Sequence, residues 1–124
     1  MRVLGQVEPS DARQLIASSD LVLSLSVGSE AGETLVVHEA LGEGVPVLVV
    51  KDSAAAEWLE GFPAVICEPD GRAVAERILR MSCDLEGMTR LRNDLSAFHN
   101  REFRPVVAEN LRIYESLCEI RPST

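Results

Sequence analysis

Short apolar runs alternate with stretches of helical periodicity along this chain. Residues 2–7 (RVLGQV) read as a short strand. Pro9-Ser10-Asp11 then opens a helix. Ser10 is its expected N-cap, because a serine hydroxyl accepts from the free amides of a first turn. Ala12, Leu15 and Ile16 make the apolar face of that helix. Residues 20–27 (DLVLSLSV) read as a second strand, with Leu21, Leu23 and Leu25 on one side and Val22, Ser24 and Ser26 on the other. A loop over 28–33 leads into a helix predicted over 34–42, with Thr34 as candidate cap and Gly42 and Gly44 as stops. Residues 45–50 (VPVLVV) are continuously apolar, as a strand buried on both faces requires. Pro46 fits only near the beginning of that strand. Residues 54–60 form a short helix ending at Gly61, and 64–67 (AVIC) a fourth short strand.

From Asp70 onward the period is helical. Val74, Ile78 and Met81 share one face over 70–81, and Met88, Leu91, Leu95 and Phe98 share one over 85–98. A last helix over about 105–118 carries Val107, Leu111, Tyr114 and Cys118 in one stripe, with Val106 and Leu117 beside it. Alternating strands and helices imply an α/β fold whose parallel strands are joined by right-handed crossovers. The pattern gives about four strands followed by C-terminal helices. The 124 residues make one domain, 1–124, with no repeat, low-complexity tract or linker.

Composition narrows the partners. Twelve Lys and Arg against 20 Asp and Glu give a net charge of −8. That balance disfavours nucleic acid and anionic membranes, which attract basic patches. No apolar run approaches ~20 residues, and no early segment looks like a signal peptide, so a cytoplasmic protein without membrane insertion is expected. Cys67, Cys83 and Cys118 show no C-x-x-C spacing, which leaves a metal site without support and suggests reduced thiols. Cys67, inside an apolar run, reads as a small core residue.

Residues 30–50 (EAGETLVVHEALGEGVPVLVV) carry the main candidate chemistry. A Gly-containing loop runs into a helix whose N-terminus can hold an anion. Glu39, one to two turns inside that predicted helix, can accept hydrogen bonds from the vicinal hydroxyls of a ribose. The longer pattern resembles the C-terminal domain of family four of the retaining glycosyltransferases (glycosyl transferases group 1), which has the two-Rossmann GT-B fold. Glu39-Ala40-Leu41 and Gly44-Val45-Pro46-Val47 resemble the second half of that family's donor-site segment. Glu57, Gly61 and Glu68-Pro69-Asp70 resemble its later acid, Gly and Pro-x-Asp region. Upstream, Gly5 and residues 10–27 resemble its Gly, helix, Ala-Asp, strand and Ser segment, and Tyr114 with Leu117 its last helix.

The resemblance implies a three-layer Rossmann-like domain with a mostly parallel sheet. It implies a nucleotide-diphosphate sugar as substrate, no metal and no other cofactor. Carried over, Glu39 binds the ribose hydroxyls. The family's first acid, which contacts the transferred sugar, falls on Ala31, and Glu30 reaches that place only through a one-residue loop shift. Gly32 matches the first Gly of the turn, whereas Glu33 and Thr34 replace the usual aromatic and second Gly. Thr34 brings a Cβ where a diphosphate would approach, and Glu33 would repel it. The nucleotide-binding set is therefore Glu30, Gly32, Glu33, Thr34, Leu35 and Glu39, with no catalytic residue assigned. The family's basic pair and acceptor-binding domain lie upstream of the matched region. Lys51 is the nearest cation, and a solvated strand end is its plainer reading.

The function expected on this basis is the nucleotide-sugar-binding half of a glycosyltransferase, inactive alone and needing a partner or the missing N-terminal part. The alternative is a non-enzymatic α/β interaction module derived from one, and whether this chain is an enzyme stays open. A phosphoacceptor receiver ranks last, because Glu8, Asp11 and Val50-Lys51-Asp52 substitute poorly for its acids. In the six-strand order 3-2-1-4-5-6, the strands here would be 3, 4, 5 and 6. Strand 3 then lacks a neighbour and strand 4 has an open edge. The first strand is expected to move beside the second, or two chains to pair as a homo-oligomer, with a dimer the simplest form. His38 and His99 read as surface or half-buried residues, Trp58 as a packing residue, and Arg90, Arg92, Arg101 and Arg104 as a solvated face.

Overall fold

The structure, a computed structural model, describes residues 1–27 and 31–120, with only the backbone described at 31–34 and 120. The elements run α1 (Pro9–Ala17), β1 (Val22–Ser24), α2 (Ala31–Gly42), β2 (Val47–Val50), α3 (Ala54–Trp58), a 3₁₀ turn (Pro63–Val65), β3 (Ile66–Cys67), α4 (Gly71–Cys83) and α5 (Leu85–Ile120). The fold is α/β, with a small parallel sheet among mostly helical residues. Its three strands lie in the order β1-β2-β3. Val22 pairs with Val47 and Ser24 with Val49, and on the other side Val49 pairs with Ile66 and Val50 with Cys67.

β2 organises the core. All four of its residues are at most 1 % exposed, each worth about 1.5–3 kcal/mol of apolar burial. Successive side chains alternate between faces. Val47 and Val49 join Val37, Ala40 and Leu41 of α2, Ala55 and Leu59 around α3, and Leu95 of α5. Leu48 and Val50 join Cys67 and Val74, with Leu21 and Ile78 packed alongside. Pro46 precedes the strand, where it loses no ladder bond, and its carbonyl accepts from the Val22 amide at 3.0 Å. α2 ends at Gly42, and Gly44 follows at φ +75, in the left-handed region that favours glycine.

Several boundaries differ from those expected, for local reasons. Residues 2–7 form no strand and are exposed, so the expected placement of a first strand beside the second is not found. Gly5 turns the chain at φ +66, and the segment's amides find no neighbouring strand. α1 begins one residue before Ser10. Glu8 holds the cap position without a side-chain bond, and Pro9 supplies the start through its fixed φ. α2 begins at Ala31, so Thr34 lies inside it and Gly32 and Glu33 belong to its first turn rather than to a loop. Good helix formers at Ala31, Glu33 and Leu35 prevail over the cap at Thr34. The second strand is confined to three residues. Before β3, Pro63 starts a 3₁₀ turn that takes up Ala64 and Val65.

The two expected C-terminal helices are one, α5, running through Pro105. The proline removes one amide and crowds the carbonyl four residues back. Glu102, Arg104, Ala108 and Leu111 nearby favour the helix, and no glycine lies between Gly87 and Ile120.

Candidate functional site

Parallel strands send their carboxyl ends to one edge, and α2, α3 and α4 each begin just beyond it. That edge is where open α/β sheets receive ligands. Each helix start there is set by local chemistry. Ser53 is 2 % exposed, donates to the Val50 carbonyl at 2.7 Å and accepts from the Ala56 amide at 3.1 Å, which caps α3. Asp52 beside it takes φ 66, which orients the turn out of β2. Asp70 caps α4 by accepting from the Ala73 amide at 3.3 Å. Between the ends of β1 and β2 and the start of α4 lies a groove of about 320 Å³, lined by Leu25, Val27, Val50, Pro69, Gly71 and Val74 among others. Its walls are apolar, apart from the Asp70 carboxylate.

Apart from Glu30, the sequence-derived site residues are spread over the first three turns of α2. Glu30 lies outside the described residues. The backbone of Gly32, Glu33 and Thr34 forms the first turn of α2, and their side chains lie outside the described set. Leu35 is 60 % exposed. Glu39 is exposed in the third turn of α2, about 12 Å along the axis from Ala31. The expected separation was one to two turns, and the earlier helix start lengthens it. Glu39 is close enough to α1 to act on Arg13. The Arg13 guanidinium donates to the Glu43 carboxylate at 2.7 Å, and this bond, with a weaker pull from Glu39, raises its pKa above the ordinary value. Lys51 stands at the carboxyl edge but already faces Glu68 at 3.8 Å, both exposed.

A cluster not apparent from the pattern of residues lies about 100° around α2 from Glu39. The His38 ring is 4.4 Å from Trp58, 4.3 Å from Phe103 and 5.8 Å from His99, measured between centroids. His99 stacks on Phe103 at 5.0 Å. Among the described residues, Nδ1 of His38 and Nε2 of His99 are buried without a hydrogen-bond partner. Desolvation lowers both pKa values, and the neighbouring His99 charge lowers that of His38 further. Both effects favour the neutral imidazoles, which pack here as aromatic rings. Trp58 packs here against Phe98 and the core, as its expected packing role requires.

A second cleft of about 560 Å³ separates α4 from the start of α5, with Arg77, Arg80, Arg90, Asp84 and Asp94 in its walls. Arg77 is engaged there, donating to the Pro63 and Ala64 carbonyls at 3.1 and 2.6 Å. Comparison of the chain with family models, curated proteins and solved structures found no match.

Proposed function

We propose that this chain is the nucleotide-sugar-binding half of a glycosyltransferase-like protein, competent only with a further polypeptide segment that supplies cations for the donor diphosphate and the acceptor site. One observation carries the reading. Three parallel strands in the order β1-β2-β3 correspond to strands 4-5-6 of a doubly wound sheet, with the open edge at the strand that would meet strand 1. A Rossmann-like three-layer domain follows once that edge is continued. In this reading the α2 N-terminus faces the diphosphate and Glu39 takes the ribose hydroxyls. The apolar groove beside Val27 and Val50 holds part of the nucleoside.

Calorimetric titration with uridine, guanosine and adenosine diphosphates and their sugars tests this. One of them is expected to bind, and Glu39→Ala to weaken it about tenfold, as the loss of hydrogen bonds to a charged acceptor should. Absence of heat with every one of them would reject donor binding. It would favour a non-enzymatic interaction module, for which the outward, α1-facing setting of Glu39 and the Lys51–Glu68 pair already speak.

A further inference from the structure

The C-terminal half of α5 leaves the body of the molecule. Phe103 is half-buried, and every side chain from Arg104 to Glu119 is exposed. At 100° per residue, Val106, Val107, Asn110, Ile113, Tyr114 and Leu117 fall within about 120° of helix surface. The five apolar members of this stripe are 47–66 % exposed. The stripe prolongs the face that Leu95, His99 and Phe103 of the same helix bury against the body. Arg112, Glu115 and Glu119 occupy the other side.

We propose that a second copy of this chain covers the stripe, the two α5 helices packing antiparallel about a two-fold axis at Asn110. The sequence of the stripe is complementary to itself in that register. Val106 faces Tyr114 of the second copy, Val107 faces Ile113, and Leu117 faces Phe103. Asn110 faces Asn110, and a carboxamide is both donor and acceptor, so the two satisfy each other. Sliding by one turn sets Asn110 against apolar side chains and leaves its amide unpaired. A single polar residue of this kind fixes register in paired helices.

Charge complements the antiparallel arrangement. Arg104 and Glu115 flank the stripe on the same side. An antiparallel two-fold pair keeps like flanks together. It brings Arg104 within about one residue rise, about 1.5 Å along the axis, of Glu115 in the second copy, and does so twice. A parallel pair would leave Arg104 and Glu115 about 16 Å apart along the axis and so without this contact. On the other flank Glu109 approaches its own counterpart, but each is already paired with Arg112 at 2.6 Å. A helix pair this short buries less than the roughly 800 Å² per partner of a standard interface, so the dimer is weak, in about the micromolar range.

Sedimentation and light scattering of the whole chain, over about 1 µM to about 1 mM, should show a monomer–dimer equilibrium. Ile113→Glu with Leu117→Glu should give monomer with an unchanged unfolding midpoint, since both positions are solvated in one copy. Arg104→Glu should weaken the dimer about fivefold, and adding Glu115→Arg should restore it. Those two residues are about 16 Å apart on one helix, so restoration reports contact between copies. In a Cys83→Ser background, Asn110→Cys should cross-link on oxidation, whereas Cys118, about 24 Å from its counterpart, should not. A strict monomer, a dimer indifferent to the Ile113 and Leu117 changes, absence of restoration, or a Cys118 cross-link would each overturn the proposal. None of these readouts depends on nucleotide binding.

Discussion

Burial of His38 and His99 gives the chain a pH response that its acidic composition does not suggest. Each imidazole has a buried nitrogen with no hydrogen-bond partner among the described residues, and burial lowers both pKa values below the ordinary 6.5. The unfolded chain therefore binds protons at a higher pH than the folded one. Stability conferred by these two groups is complete above the ordinary histidine range and is lost as pH falls from there toward the depressed folded values. Urea midpoints should drop between pH 7.5 and 5.5, and the drop should shrink in His38→Gln/His99→Gln. An equal drop in that variant would assign the response to other groups. Neither histidine was recognisable as one of a pair in the sequence, because the two sit on separate helices and meet only through tertiary packing. Glu39, by contrast, was legible as a helical carboxylate. Its neighbours Arg13 and Glu43 were not, since α1 had first to be placed against α2.

At the scale of elements, periodicity identified faces better than boundaries. Val74, Ile78 and Met81 do share the inner face of α4. In β1 the alternation is as expected, but burial follows the less apolar side. Ser24 is 8 % exposed, whereas Leu23 and Leu25 are 42 % and 45 % exposed. The reason is coverage: α2 packs over the Val22–Ser24 face, while α4 lies against β3 and stops short of β1. α5 shows the opposite: Pro105 reads as a helix start in the sequence, yet the helix runs through it. A proline in a helix interior costs roughly 3 kcal/mol, and little tertiary packing offsets that cost beyond residue 104. Amide exchange at low concentration should find residues 106–119 far less protected than 88–99. Pro105→Ala should raise protection in the outer segment while leaving the inner one unchanged. Equal protection in both segments of the natural chain would show that the outer half has packing not seen in a single copy.

For the whole molecule, the decisive feature is an interior stronger than its margins. β2 is sealed, while β1 is an edge strand, and Leu23 in it and Leu25 just after it meet water. Such an edge is a template for further pairing. Leu23→Lys with Leu25→Lys should slow aggregation measured by light scattering, while shifting the unfolding free energy by no more than about 0.5 kcal/mol. A large loss of stability would mean that both side chains are covered in the working protein. The sequence by itself determined the α/β class, the sealed central strand, the helical faces and the acidic surface, because each depends on the order of apolar and polar residues within one segment. Only the tertiary structure decided which face of β1 is covered, that residues 2–7 find no strand to pair with, that the histidines sit together, and where α5 leaves the body. Those outcomes depend on which neighbours are present, and hydrogen-bond partners and covering helices come from segments distant in the chain.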